Sequence, residues 1–237
     1  MVECDERLKP LYQRSFPRNI KFVSHRDCVN ENDYDHQIAI GSLPKYFRNE
    51  VHNFRRTSFG WLKADPQKIS KFREKLKRSD SEKIIGISWA TNSSSALSRF
   101  RNLNIGMFTN QLQKIPAKFV SLQYGDTSQE LRRVNAKSKI GVVQIEGLDL
   151  FNDLEGLAAL ISVCDIVISI DNVSVHLAGA LGVDTRVLLP FSADERWSTN
   201  QNESYWYDSL TLYRQTKLGD WSKPLAHLVN DLVQMPI

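Results

Sequence analysis

The alternation of apolar runs and helical stretches after residue 83 constrains the fold most strongly. Short runs rich in Ile, Val and Leu are each followed by a stretch with apolar residues at helical spacing. Strands that are apolar on both faces and separated by helices are typical of a parallel sheet, because helices cover both of its faces. We therefore expect an α/β fold with a Rossmann-like parallel sheet and helices on both faces. The predicted strands are 84–89, 118–123, 142–145, 165–170 and 185–190, and the predicted helices are 107–112, 128–134, 154–164 and 173–181, the last ended by Gly182.

The first 82 residues have a different pattern. Apolar bursts between turn residues are typical of pieces of an α/β domain with several loops. Asp65 and Pro66 then provide an N-cap and a first-turn proline before a basic stretch with helical spacing, which predicts a connecting helix. Its basic face is more typical of a solvated helix than of a nucleic-acid contact. The sequence therefore predicts three parts: a first segment (1–66), a linker helix (67–82) and a second domain (83–237).

Composition excludes several classes of protein. The 237 residues are 41% hydrophobic and 24% charged, which disfavours disorder and fibrous repeats. The net charge of +4 is spread along the chain, so no nucleic-acid partner is expected. No apolar run reaches the ~18 residues of a membrane span, and no secretory signal is recognisable. Three cysteines without a Cys-x-x-Cys pair predict reduced thiols and a cytoplasmic location.

The segment 168–182 is the most informative candidate for a binding site. Ligands of open parallel sheets lie beyond the carboxyl ends of the strands, and here a strand ends at Asp171 directly before a helix. The free N–H groups of that helix would favour a phosphate. Asp171 could accept hydrogen bonds from sugar hydroxyls, and Asn172 or Ser174 could cap the helix or bind phosphate. Equally, these residues could be capping residues only.

Further candidates follow the other strands. His176 could donate to a diphosphate or a sugar, although a lone His in an apolar helix is more often a core residue. Arg99 and Arg101 could neutralise phosphate, or they could be exposed arginines without a ligand. The remaining strand ends carry small or polar residues that suit a nucleotide cleft but also occur in plain loops, namely Ser88, Gln123, Glu146 and Gly147.

Several catalytic motifs are absent from the sequence. It has no Gly-x-Gly-x-x-Gly after the first strand of the second domain, no Walker loop, no metal-spaced cluster and no Gly-x-Ser-x-Gly elbow. These absences disfavour dinucleotide oxidoreductases, P-loop enzymes, metallohydrolases and α/β-hydrolases. The aromatic tail could anchor the C-terminal segment or form a sugar-stacking wall. We expect anchoring to be the main role of Trp197, Trp206 and Trp221.

A set of short segments, in this order, resembles a known family. The chain is similar to the glycosyltransferase domain that follows tetratricopeptide repeats in many bacterial proteins, a family related to the heptosyltransferases and more distantly to the O-linked GlcNAc transferases. The resemblance covers nearly the whole chain. Its matches are Val2–Leu8, Arg14–Pro17, Gly41–Pro44, Phe47–Arg48, Gly86–Trp89, Ser121–Asp126, Ile168–Asn172, His176–Gly182, Leu188–Pro190, Arg196–Trp197, Trp206–Tyr207, Tyr213–Gln215 and Gly219–Trp221.

The resemblance implies a GT-B fold, in which two Rossmann-like halves face each other and the C-terminal half holds a nucleotide sugar. The C-terminal half would be complete and the N-terminal half partial. No metal or other cofactor is implied, so the helix N-terminus and basic side chains would stabilise the leaving diphosphate. Implied partners are the nucleotide sugar, a protein or glycan acceptor and a tetratricopeptide-containing chain. The implied donor site consists of Asp171, Asn172 and His176 at the diphosphate and sugar, Ser88 and Gln123 beside them, and Glu146 and Gly147 near the base.

The expected activity is therefore glycosyl transfer from a nucleotide sugar to a hydroxyl group of a protein or glycan. The sequence identifies no catalytic residue, and a non-catalytic nucleotide-binding or scaffold module derived from such an enzyme is the alternative. In the family, a Gly-x-Gly-Asp stretch and the first strand and helix precede the segment matched by Val2–Asp5. We therefore expect this chain alone to bind the donor but to transfer sugar poorly.

Overall fold

A six-stranded parallel sheet forms the centre of the chain. The computed structural model describes residues 1–54, 60–76, 82–91, 98–198 and 202–235. Within these ranges, two short strands, β1 (Val2–Glu3) and β2 (Phe22–Val23), pair in parallel near the N-terminus. The main sheet has the order β5-β4-β3-β6-β7-β8, and all its neighbouring strands are parallel. Its strands are β3 (Lys83–Ser88), β4 (Ala117–Ser121), β5 (Val142–Val143), β6 (Ile166–Ile170), β7 (Asp184–Leu189) and β8 (Leu210–Arg214).

Helices cover both faces of this sheet. Within the described ranges, the α-helices of the chain are α1 (Lys9–Ser15), α2 (Pro44–Phe47), α3 (Pro66–Leu76), α4 (Ser98–Arg101), α5 (Ile105–Leu112), α6 (Ser128–Lys137), α7 (Leu154–Ile161), α8 (Val173–Leu181) and α9 (Ser222–Gln234). Helix α2 is short and exposed and does not cover the sheet. Side chains alternate along β3, so Ile84 packs with α1, α3, α7 and α8, whereas Ile85 and Ile87 pack with α5, α6 and α9. In the part of the chain described, none of these helices is both long enough and apolar enough to cross a bilayer.

The elements follow the predicted pattern closely. Each of the five predicted strands is present, because continuous runs of Ile, Val and Leu form strands that are buried on both faces. Helix α8 has the predicted bounds: Asn172 caps its first turn, and Gly182 ends it in the left-handed region at φ 74°. The predicted linker helix 67–82 corresponds to α3, and residues 77–81 lie outside the described ranges.

Several features differ from the sequence-based expectation. Helices α1 and α9 were not predicted, although the buried residues Leu225, Leu228 and Leu232 of α9 recur at helical spacing. Strand β8 was not predicted, because its buried residues are interrupted by Thr211 and Arg214 and no continuous apolar run marks it. Trp197 and Trp221 are buried as expected, but Trp206 is 37% exposed and packs edge-on against Phe54, with ring centroids 5.0 Å apart. Trp206 is therefore a surface residue and does not anchor the core.

The first segment packs directly onto the second. The backbone N–H of Leu62 donates to the carbonyl of Ala180 in α8 at 2.9 Å. This close approach requires Gly60, since a Cβ atom at that position would lie 2.1 Å from the carbonyl carbon of Leu181. Arg14 of α1 donates two hydrogen bonds to the carboxylate of Glu155 in α7, at 2.9 and 2.6 Å. These contacts fix α1 and the chain around residue 62 against the helices that lie beside the candidate site.

Candidate functional site

A cleft of about 630 Å³ opens at the carboxyl ends of the strands. Loops that follow β3, β4, β6 and β7 contribute to its walls, as expected for a ligand site of an open parallel sheet. The first segment contributes Arg7, whose guanidinium donates to the carbonyl of Phe151 at 2.8 Å and lies 5.2 Å from the centre of its ring. Polar and charged side chains on the walls are Arg7, Thr91, Arg101, Tyr124, Asp171, Asn172, His176, Ser192, Asp194 and Arg196.

The start of α8 faces this cleft. Asn172 caps the helix with Oδ1, which accepts from the backbone N–H of Ser174 at 3.0 Å and from the Ser169 hydroxyl at 3.1 Å. Its Nδ2 donates to the Ser88 hydroxyl at 2.7 Å. The Asn172 amide therefore holds the strand-to-helix turn in place, and the positive end of the α8 dipole is directed at the cleft.

Three of the predicted site residues lie behind the cleft wall. Ser88, Gln123 and Ser174 are buried and do not line the cleft. Gln123 Oε1 accepts from the Ser88 hydroxyl and from the backbone N–H groups of Trp89 and Ala90 at 3.0, 2.9 and 2.8 Å. Its Nε2 donates to the carbonyls of Ala90 and Tyr124. All the hydrogen-bonding groups of Gln123 are thus used inside the protein, where they shape the turn after β3.

Asp171 lies at the centre of the polar groups. Its carboxylate Oδ2 accepts from Arg101 Nη2 at 3.2 Å, and its backbone carbonyl accepts from the same nitrogen at 2.8 Å. On the other side, His176 Nε2 is 3.9 Å from Asp171 Oδ1. The Nε of Arg101 is buried, and no described residue accepts a hydrogen bond from it. The carboxylate is therefore fixed between an arginine and a histidine at the start of α8.

His176 is held by two aromatic residues. Its Nδ1 is 3.1 Å from the Tyr207 hydroxyl, and its ring stacks on Trp197 with centroids 5.2 Å apart. Burial lowers the pKa of His176, and Arg196 lowers it further, although Asp171 and Asp194 oppose the shift. Burial also raises the pKa of Tyr207 to about 12. At neutral pH the site therefore contains a neutral imidazole and a protonated phenol, which can exchange donor and acceptor roles.

Three arginines line the cleft, and each is paired with a carboxylate: Arg7 with Asp5, Arg101 with Asp171 and Arg196 with Asp194. Arg196 pairs with Asp194 at 2.7 Å, but both side chains are largely exposed, so this ion pair contributes little and can be exchanged for a ligand. Sequence reasoning did not propose Arg7, Asp194 or Arg196 as site residues. Both Arg7 and Arg196 lie within segments that resemble the family, Val2–Leu8 and Arg196–Trp197, but only tertiary packing brings Arg7 to the cleft.

The structure does not bring Glu146 and Gly147 to the cleft. Glu146 and Gly147 line a separate hollow of about 660 Å³ beyond β5, where Gly147 adopts φ 74°. Arg99 lies within α4, and its side chain is outside the described residues. Across the described ranges, no group of three or more His, Cys, Asp and Glu side chains could hold a metal ion. The predicted residues that do meet in one cleft are Arg101, Asp171, Asn172 and His176.

Comparisons with known proteins identify the fold. A scan against protein-family models finds no match. The chain is 26% identical over 246 aligned residues to protein FlbA of Caulobacter vibrioides, an alignment that covers 98% of this chain and 40% of FlbA. It is similar in structure to ADP-heptose lps heptosyltransferase II of E. coli, with a TM-score of 0.52 and 16% identity. It is also similar to the glycosyl transferase family 9 structure from Veillonella parvula DSM 2008, with a TM-score of 0.50 and 12% identity.

Both structural alignments cover 73% of this chain and 53% of the other protein. The chain therefore spans about half the length of these solved structures and 40% of FlbA. The shared feature is the parallel sheet with helices on both faces, as in the GT-B glycosyltransferases. The α/β fold class predicted from the sequence is confirmed.

Proposed function

We propose that this chain binds a nucleotide sugar in the cleft at the start of α8 and acts as the donor-binding part of a metal-independent glycosyltransferase. The observation that carries this proposal is the arrangement around Asp171. A carboxylate, two arginines and a neutral imidazole surround one helix N-terminus at the carboxyl edge of the sheet. Arginines and a helix N-terminus can bind the anionic groups of a nucleotide sugar, and a carboxylate and an imidazole can bind its hydroxyl groups.

The diphosphate would lie at the start of α8. The helix dipole and N–H groups favour an anion there, and the guanidinium of Arg101 is already fixed nearby. Arg196, whose Nη1 is 3.5 Å from His176 Nε2, can turn from Asp194 to a phosphate oxygen. When the glycosidic bond breaks, negative charge grows on the leaving diphosphate, and these fixed positive groups stabilise it without a metal ion.

The sugar would contact Asp171 and His176. The Asp171 carboxylate accepts hydrogen bonds from sugar hydroxyls, and the neutral imidazole can donate one from Nε2 when Tyr207 donates to Nδ1. Tyr207 and Trp197 then act as positioning residues, since they hold the ring by a hydrogen bond and by stacking. Their contribution is the orientation of His176.

A hydroxyl of a protein or glycan is the proposed acceptor, and a tetratricopeptide-containing chain is a proposed partner. Among the described lining residues, the carboxylates of the cleft are Asp171 and Asp194, and each is paired with an arginine. Neither is placed to remove the acceptor proton as a free general base. The neutral imidazole of His176 is assigned here to the donor sugar, so we expect slow transfer by this chain alone. The same observation favours a second candidate, a nucleotide-binding module without turnover.

A panel of nucleotide sugars tests the proposal. A ligand at one hundred times its Kd should stabilise the folded chain by about 2.7 kcal/mol, which thermal unfolding detects readily. Asp171→Asn and His176→Ala should abolish this stabilisation while circular dichroism shows a folded chain. Glu195→Gln, which removes a neighbouring exposed carboxylate outside the cleft, is the matched control and should bind normally.

Normal binding by both cleft variants would contradict the site. If the parent binds a nucleotide sugar, analysis of the reaction products separates the two candidate functions. Release or transfer of the sugar indicates an enzyme, and stable binding without turnover indicates a binding module.

A further inference from the structure

A second cavity lies on the other side of His176. It has a volume of about 470 Å³ and is lined by residues of β1, α1 and β2 of the first segment and of α8. Three of its aromatic rings, Tyr12, Phe16 and Phe22, pack together with centroids 5.4 to 5.8 Å apart. Trp61 stacks on Tyr207 with centroids 5.4 Å apart and completes the wall. The lining is almost entirely carbon, in contrast to the charged cleft.

This cavity is too large to be a packing defect. Protein cores leave few voids larger than a water molecule, whereas ligand sites typically have ~300–1,000 Å³ and mainly apolar walls. It is also open to solvent, because Ile40 and Trp61 on its rim are 67% and 39% exposed. A molecule from solution can therefore enter it.

His176 and Val173 line both the cavity and the cleft. The imidazole contributes to the apolar wall of the cavity, while its Nε2 atom is directed at Asp171 and Arg196 in the cleft. The Tyr207 hydroxyl is bonded to the ring at the same boundary. A ligand that spans this boundary needs an apolar part for the cavity and a polar part for the cleft.

We propose that the cavity binds the alkyl or aromatic tail of a small hydroxylated amphiphile, whose hydroxylated head lies beside His176. If the proposed function holds, this amphiphile is the sugar acceptor, and its tail places a hydroxyl group near the donor. The assignment as acceptor rests on the proposed function, but the apolar site itself rests on the cavity and its shared wall.

Alkyl β-glucosides are suitable probes, measured by calorimetry below their micelle concentrations. Affinity should rise about fourfold for each added methylene from butyl to octyl, as expected when each one is buried. Glucose should not bind measurably. Ile40→Glu places a carboxylate on the exposed rim and should weaken octyl glucoside binding about threefold. Ile38→Glu, two residues away, also exposed and outside the cavity, is the matched control and should bind normally.

Ile20→Glu, deeper in the cavity wall, should weaken binding at least tenfold. Equal affinity in the parent, Ile20→Glu and Ile40→Glu would overturn the proposal, as would the absence of saturable octyl glucoside binding. Self-association that Ile40→Glu abolishes, without glucoside binding, would also overturn it and identify the cavity as an interface between copies.

The nucleotide-sugar panel, repeated in the same variants, separates this proposal from the proposed function. Tail-dependent binding without any nucleotide response supports the cavity site and overturns its assignment to an acceptor. Nucleotide binding without any glucoside response overturns the cavity site and leaves the proposed function intact.

Discussion

Replacement of Gln123 by Met should destabilise the protein without touching any group on the cleft surface. The Gln123 side chain is 2% exposed and connects the ends of β3 and β4. The Met side chain has a similar length but donates no hydrogen bond and accepts only weak ones. The substitution therefore leaves the backbone N–H groups of Trp89 and Ala90 without the acceptor that they have at 2.9 and 2.8 Å. The Ser88 hydroxyl loses the same acceptor, but a hydroxyl can rotate, so the two backbone donors set the cost.

The cost follows from these lost partners. A buried donor left without an acceptor costs about 1–3 kcal/mol, so two of them cost about 2–6 kcal/mol. The carbonyls of Ala90 and Tyr124 also lose the donor that Gln123 Nε2 provides, which adds to this cost. A whole domain is stable by only ~5–15 kcal/mol, so this loss is a large fraction of the total.

Urea unfolding followed by circular dichroism measures the change directly. Gln111→Met, at an exposed position of α5, is the control and should change the free energy of unfolding by less than about 0.5 kcal/mol. If Gln123→Met unfolds at the same urea concentration as the parent but loses nucleotide-sugar binding, Gln123 is a ligand contact and our description of it as an internal support is wrong.

Two further predictions concern Trp206 and His176. Trp206→Ala should cost about 1 kcal/mol, because the ring is largely at the surface, whereas Trp197→Ala should cost about 3–5 kcal/mol. Equal costs in urea unfolding would contradict this ranking. Burial lowers the pKa of His176 in the folded chain, so the histidine of the unfolded chain binds a proton at a higher pH. The contribution of His176 to the free energy of unfolding should therefore be fully present above pH 6.5 and be lost as the pH falls below it. Between pH 7.5 and 5.5, the His176→Gln variant should lose less stability than the parent. The variant His227→Gln, at an exposed position, is the control and should lose as much stability as the parent. Equal losses in all three proteins would exclude His176 as the cause.

The sequence predicted the sheet because its signal is local. Runs such as Ile84–Ile87 and Ile166–Ile170, repeated between helical stretches, are typical of strands buried on both faces of a parallel sheet. Gly182 marks the end of α8 without any knowledge of tertiary structure. Strand β8 lacks such a run, since it lies at the edge of the sheet and alternates with polar residues.

The candidate site was predicted less completely. Asp171 and His176 follow a strand end in sequence, so position alone suggested them. Arg7 comes from the other end of the chain, and only the packing of the first segment brings it to the cleft. Gln123 also follows a strand, but its side chain turns inward to the backbone after β3. The direction of a side chain at a strand end depends on partners that the sequence does not locate.

The central position of β3 in the sheet has a consequence for folding kinetics. β3 pairs with β4, which is near in sequence, and with β6, where Ile85 is opposite Ile166. Ser88 and Asn172, which share a hydrogen bond, are separated by 84 residues, and Arg101 and Asp171 are separated by 70. Contacts between such distant residues form slowly, because the intervening chain must first be ordered. Until β6 docks, one edge of β3 remains open to other chains, and the polar groups around Asp171 are not yet assembled. During refolding, the ability to bind a ligand at this cleft should therefore appear late, when β6 pairs with β3.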